Sequence, residues 1–383
     1  MASRFSNVRT AALAVTAAVA LGLTAAPAAD AAPAAPAPAV PQPAGYSIHG
    51  YNFTQGNYRG AIDAQSGDLW LTTVSPMNGP TKSIIYRLNP DTMSVKSRIN
   101  VTQRAETEGH GGIAAQYEIG IPKTGNTVWT TAAAANGGEA NVWDKNTGRR
   151  LANLGNLSHS HSIVFAEDLR IAIISVTQGL VFFDMDTYKR LGEVKFSGGG
   201  KKLGAGVVVT DQGPGGATVT VTSYYTDLTQ VRVTRNGDKV QTKVRWNTRQ
   251  AITEGHGSVA ADTTTNRLYV NNLYNGLSVF DLRTGKHIGD VTTGPGTNSM
   301  LIFHGKLYAA NYFLGFISVI DQKTLGVTKL ITTGLLPNQL LAWKKNTFLV
   351  IDKASSITEL PSGMVKMPLP PLGGDHIYKV TKR

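Results

Sequence analysis

The chain has 383 residues, a formal net charge of +12 and no cysteine. Without thiols there are no disulfides, no thiol nucleophile and no c-type haem attachment, so a domain of this length must be held by burial and backbone pairing alone. The positive balance suits anionic partners.

Taken in chain order, residues 1–31 are expected to be a secretory signal peptide. Arg4 and Arg9 form a positive start, Ala11–Leu23 is an uncharged apolar run, and small residues place A-x-A sites ending at Ala28 and Ala31. The apolar run is short for a span of about 30 Å of hydrocarbon, so the protein is expected to be secreted, outside the cytoplasm. Residues 32–44, almost only Ala and Pro, read as an extended linker without the apolar side chains that ordering needs. The remaining 45–383 read as one domain.

Within that domain a unit recurs. An apolar strand ends in Asp or Asn, a Thr follows three residues later, and another strand begins. It appears at Ile84–Asn89 with Thr92, Ala140–Asp144 with Thr147, Leu180–Asp184 with Thr187, Leu277–Asp281 with Thr284 and Ile317–Asp321 with Thr324. A degenerate copy surrounds Arg235–Asp238. Periods of roughly 40–50 residues made of short strands are the mark of a β-propeller. The Asp-x-x-Thr-Gly block makes a tight turn, with Asp accepting from backbone N–H groups ahead of it and Gly supplying positive φ.

The fold expected is therefore all-β, a seven-bladed propeller of four-stranded antiparallel blades, with blades over 56–102, 107–154, 157–197, 200–246, 252–292, 295–331 and 335–383. The last blade stops after His376–Val380, its third strand. Tyr46–Tyr51 is left over at the other end and is expected to supply the missing outer strand, closing the ring.

Gly67–Leu71 running into Ile85–Thr92, and Ile317–Asp321 followed by Pro337-Asn338, resemble the first, sixth and seventh blades of the secreted YVTN-repeat propellers, the YncE-like family. The resemblance spans nearly the whole domain. It implies seven blades, an extracytoplasmic location and, from some members, a link to DNA.

Two segments are near copies. Thr107–Ala114 contains Glu108 and His110, and Thr253–Ala260 contains Glu254 and His256. Both are expected where an innermost strand begins, and such starts ring one mouth of the channel. The equivalent places elsewhere hold Arg59, His161 (or His159), Asn298 and Asn338. Arg59, Glu108, His110, His161, Glu254, His256, Asn298 and Asn338 thus form a candidate ligand-binding mouth. Histidines with a carboxylate can also hold a transition metal, and the same residues can be repeat-equivalent packing groups. No resident cofactor is expected.

The fourth blade carries Lys201, Lys202, Arg232, Arg235, Lys239, Lys243, Arg245 and Arg249 against three acidic residues, with Tyr224, Tyr225 and Trp246 among them. Cations interleaved with aromatic rings suit an anionic polymer such as single-stranded nucleic acid or a wall polymer. They equally describe a solvated outer face. There is no G-x-S-x-G or H-E-x-x-H motif. Gly198–Lys202 lacks the Ser/Thr after Lys that a phosphate loop requires. The expected function is non-enzymatic binding of an anionic polymer or a protein partner. The alternative is a propeller enzyme of lactonase or lyase type with a histidine-lined mouth.

Overall fold

Short apolar runs closed by polar turns fold as antiparallel strands. In the computed structural model they assemble into seven four-stranded sheets. The structure describes residues 34–37, 39–54, 56–75, 80–102, 113–134, 137–195, 204–223, 227–249, 257–272, 275–334, 336–353 and 375–383. The export signal expected over 1–31 lies outside them.

Each blade is an up-and-down sheet in sequence order, as in blade 1 with Asn57–Ile62, Leu69–Ser75, Lys82–Leu88 and Val95–Asn100. The first strands of the seven blades are Asn57–Ile62, Ile119–Gly120, Ile163–Ala166, Gly204–Gly213, Val259–Asp262, Thr297–Phe303 and Pro337–Lys344. Each touches the first strand of the next blade, and the seventh touches the first, so the ring closes on an inner wall. Among the described residues the helical content is one 3-10 turn, Glu167–Leu169. Among the described residues no helix is long and apolar enough to cross a membrane.

Closure follows the expected route. Blade 7 takes Tyr46–Asn52 as its outer strand, paired antiparallel with His376–Lys382 from Tyr46↔Lys382 to Asn52↔His376. One polar contact fixes the strand to blade 6, where the Tyr46 and Tyr308 hydroxyls lie 2.9 Å apart.

The apolar core is divided between blades. Among the described residues there are seven clusters, each shared by two neighbouring blades, including Trp70, Ile85, Val128 and Trp143 between blades 1 and 2. Each sheet face that would otherwise meet water is covered by the next sheet. Burial at these interfaces offsets the lack of disulfides.

The Asp-centred turns form as the sequence implies. Asp144 Oδ1 accepts from Asn146 N at 3.0 Å, Thr147 N at 2.7 Å and the Thr147 hydroxyl at 2.9 Å, and Gly148 follows at φ 68°. Asp281 does the same with Arg283 and Thr284. At the position of Gly148, blades 1, 3 and 6 hold Met93, Tyr188 and Leu325, all with positive φ. Their side chains pack on the interblade cores, which offsets the backbone strain.

The Ala/Pro segment departs from expectation. Ala37 N donates to Gly50 O at 2.9 Å and Asn52 N donates to Ala35 O at 2.7 Å, so backbone pairing orders it where apolar side chains are few. Ala34, Ala37 and Val40 rest against the cores on either side of blade 7. Small residues need little room, so the segment lies flat along the free edge of Tyr46–Asn52. Pro36 has no N–H to offer on its outer side, which blunts that edge.

Candidate functional site

One end face of the ring carries the starts of the first strands and the ends of the second strands. Four of those starts are bulged, that of blade 4 between Gly204↔Ser223 and Val207↔Val221 and those of blades 1, 6 and 7 at the residues that line the mouth. Blade 1 carries an extra residue between the pairs Asn57↔Thr73 and Gly60↔Leu71, blade 6 carries Asn298 between Thr297↔Asn311 and Ser299↔Ala310, and blade 7 carries Asn338 between Pro337↔Asp352 and Gln339↔Ile351. A bulge re-aims side chains that a regular ladder would send to a sheet face. In blades 1, 6 and 7 the bulged residues meet. Asn298 Nδ2 donates to Asn338 Oδ1 at 2.7 Å, Asn338 Nδ2 donates to Tyr58 O, and Arg59 Nη1 donates to Asn338 O at 2.6 Å.

Together they line a cavity of about 240 Å³. Its walls are Arg59, Asn298, Asn338 and His161, the aromatic rings of Tyr58, Tyr312 and Phe313, and Lys353, with Gly296. Gly296 is required there, because a Cβ would meet Phe313 at 2.1 Å. Lys353 Nζ lies 4.2 Å from the centre of the Tyr58 ring, in cation–π range. Tyr58 in turn packs edge-on against Tyr117, with centroids 5.0 Å apart.

Glu118 is the counter-charge. Arg59 Nε donates to its Oε1 at 3.2 Å, both side chains being 13% exposed, and His161 Nδ1 is 3.8 Å from the same oxygen. Burial works to raise the Glu118 pKa. The charges of Arg59 and His161 and the Arg59 hydrogen bond outweigh it, so the carboxyl sits below its ordinary value. His161 moves down, chiefly through burial, with Arg59, His159 and Lys353 adding to the effect against Glu118. At neutral pH the site therefore holds a guanidinium, a carboxylate and a neutral imidazole beside the Lys353 side chain.

Arg59, His161, Asn298 and Asn338 thus share one cavity. Glu108, His110, Glu254 and His256 lie outside the described residues. In blade 2 the first strand is Ile119–Gly120, Tyr117 N donates to Thr131 O at 2.7 Å, and Ile113, inside the repeated Thr107–Ala114, is itself a bridge residue. In blade 5 the motif runs into the strand, since Val259 and Ala260 belong to it. Among the described residues no group of three or more His, Cys, Asp or Glu is arranged to hold a metal.

The basic fourth blade divides. Arg235 spans to blade 3, where it pairs with Asp184 and donates to Leu169 O at 3.1 Å and Arg170 O at 3.0 Å. Arg232 donates to Asp211 and Thr218 of its own blade, and Arg245 reaches Thr218 Oγ1 at 3.3 Å. Trp246 does not present a stacking face. Its ring lies on Gly285 of blade 5, and Nε1 donates to Leu282 O at 3.3 Å. Lys239, Lys243 and Arg245 are exposed on the outer strand Lys239–Arg249, which also carries Arg249. Lys201, Lys202, Tyr224 and Tyr225 lie outside the described residues. Among the described residues, the first strand of blade 4 opens with Gly204, Ala205 and Gly206, none of them charged.

No protein-family model matches the chain, and no curated protein matches it. Solved structures do. The crystal structure of BamB from Moraxella catarrhalis is similar at 11% identity and a TM-score of 0.57, covering 86% of this chain and 86% of that one. The β-propeller domain of Myceliophteria thermophila Cps50 (Swd1) is similar at 9% identity and a TM-score of 0.60, covering 86% of this chain and 98% of that one. At these identities the likeness establishes the propeller fold.

Sequence reasoning missed Glu118 and Lys353. A signal for Glu118 was present, because Gln116-Tyr117-Glu118 repeats the pattern of Asn57-Tyr58-Arg59 with the charge reversed. Lys353 follows Asp352 in a segment with no turn motif, and only folding places it on the cavity.

A second concavity of about 540 Å³ runs along the outer strands of blades 5 and 6, with Leu314, Phe316, Val327 and Leu330 among its walls. Its cation, Lys329, donates to Ala44 O and sits over the Tyr46 ring. No histidine or carboxylate is among its lining residues to activate the Ser318 and threonine hydroxyls there.

Proposed function

We propose that the chain is an exported, non-enzymatic binding propeller of the YncE-like kind, and that its partner is an anionic polymer or protein held by an acidic group at the mouth. The observation that carries this reading is the convergence of Arg59, Lys353 and the Asn298–Asn338 amides on one aromatic-walled cavity. A buried guanidinium with amine and amide donors beside apolar rings is a usual means of orienting an anionic group. Lys239, Lys243 and Arg245 on the outer strand of blade 4 offer a second, exposed positive strip that suits long-range attraction.

The test compares mouth and rim. Retention on heparin or single-stranded DNA at low salt, lost at moderate salt, supports the reading. Arg59→Gln should weaken binding to a given polymer by roughly tenfold, while Lys239→Gln with Lys243→Gln should mainly reduce the salt dependence. Flow-through of the intact protein at low salt rejects it.

The lactonase or lyase reading keeps one supporting observation, the approach of His161 to Glu118 at 3.8 Å. Hydrolysis of a lactone that disappears in His161→Ala would favour it.

A further inference from the structure

Lys353 directly follows the second strand of blade 7, Thr347–Asp352, and its backbone N–H donates to Leu336 O at 3.1 Å. That anchors the stem while the amine faces the Tyr58 ring and the cavity shared with Arg59, Asn298 and Asn338. A primary amine held out of water beside a guanidinium is disfavoured as an ammonium and gains nucleophilicity at neutral pH. Burial, then the Arg59 charge, brings the Lys353 pKa from its ordinary 10.5 to about 7, against the pull of Glu118 and Asp375.

We infer that the mouth cavity captures a small 2-oxo acid covalently, its carboxylate held beside Arg59 and its ketone carbon joined to the Lys353 amine as an imine. This rests on the reading of the mouth as an anion site. The amine lone pair attacks the carbonyl carbon, a C–N bond forms, and the C–O bond then breaks. The oxygen leaves as water with the two protons that the amine gives up, so no oxidant or reductant is needed. His161 lines the same cavity and is neutral at pH 7, which suits it to carry protons from nitrogen to the departing oxygen. The cavity of about 240 Å³ admits a three- to six-carbon acid, with Tyr312 and Phe313 against its alkyl part.

The experiment uses the full chain with pyruvate, with and without borohydride, followed by peptide mass mapping. The expected result is one reduced pyruvyl group on Lys353, formed about tenfold or more faster than on any other lysine at pH 7. The rate should fall by about tenfold or more between pH 7 and pH 5, as the amine takes up its proton. Lys353→Arg should abolish the adduct yet still bind pyruvate by calorimetry, with an unchanged circular dichroism spectrum. Arg59→Gln should raise the pyruvate concentration for half-maximal labelling. Pyruvate that binds but leaves Lys353 no more labelled than exposed lysines overturns covalent capture and leaves the anion reading standing. Equal labelling by acetone and pyruvate overturns the role given to the carboxylate. Absence of both binding and labelling removes both readings.

Discussion

Arg59 of blade 1 and Glu118 of blade 2 form an ion pair across the interblade seam, Nε to Oε1 3.2 Å, beneath the cavity at the mouth. The pair both ties two blades and restrains the charge offered to a ligand. Glu118→Gln keeps the shape and a hydrogen-bond acceptor but removes the counter-charge. It should cost about 2 kcal/mol of stability, because a buried guanidinium loses its partner. Binding of an acidic polymer should tighten a few-fold at the same time, since Arg59 is then less compensated. Urea unfolding and heparin affinity read the two effects. A variant both less stable and weaker in binding would show that the pair orients the site instead of restraining it.

The lowered Lys353 pKa makes a pH prediction with a definite sign. Between about 7, its folded value, and its ordinary 10.5, the unfolded chain binds more protons than the folded one. Stability therefore rises with pH through that window. Lys353→Met removes the titration. Its stability relative to the natural chain should be most favourable at pH 6 and should decline by about 2 kcal/mol by pH 9. Parallel melting curves at the two pH values would show that the amine is solvated.

The propeller was legible because its devices are local. Asp144, Asp184, Asp281 and Asp321 each accept backbone N–H groups within three residues, so the turn and its spacing are written into consecutive positions. The leftover strand at Tyr46–Tyr51 was legible by subtraction. The mouth was legible only in part. Arg59, His161, Asn298 and Asn338 occupy the equivalent starts that the repeat predicts, whereas Lys353 arrives from the end of a second strand, 294 positions from Arg59 in a chain of 383. The fourth blade misled for another reason. Charge and aromatic content do not reveal direction, and Arg235 and Trp246 turn inward to join neighbouring blades.

A second titration runs the other way. In blade 7, His376 Nδ1 is 2.8 Å from Asp352 Oδ2, and His376 N donates to Oδ1 at 2.6 Å. Burial pushes the Asp352 pKa up to about 6, despite the histidine, and the hydrogen bond to Asp352 raises His376. Both folded values exceed the unfolded ones, so the folded state holds protons that the unfolded state releases. This part of the stability is present below pH 4 and is lost as pH rises through about 6 and past the histidine's raised value. Asp352→Asn should therefore gain on the natural chain by about 2 kcal/mol between pH 4.5 and pH 8. A constant difference across that range would remove the linkage.

At the turn of blade 1, Met93 has φ 56° and is 1% exposed. Met93→Gly relieves about 1 kcal/mol of backbone strain but empties a place in the core between blades 7 and 1. Core loss should win, with a net destabilisation of about 2 kcal/mol. Calorimetry showing a stabilised variant would mean that this core repacks around the gap.

The closing strand gives the largest expected effect. Tyr46–Asn52 pairs along its whole length with His376–Lys382, and Tyr46 and Ile48 are buried in the core between blades 6 and 7. Deleting residues 32–52 removes the outer strand of blade 7, exposes the edge of His376–Lys382 and strips that core, so unfolding at ordinary temperature is expected. Deleting only 32–43 removes the Ala35 and Ala37 backbone bonds and both Gln42 contacts with Ile48, namely Gln42 Nε2 to Ile48 O at 3.1 Å and Ile48 N to Gln42 Oε1 at 2.8 Å. Most of those partners can turn to water, so a loss of about 1–2 kcal/mol is expected. The shorter deletion also bares the edge of Tyr46–Asn52 and should therefore aggregate at concentrations where the full chain does not. Thermal melts and light scattering of the two truncations separate the effects. Equal melting temperatures for both would mean that Tyr46–Asn52 is not what closes the ring.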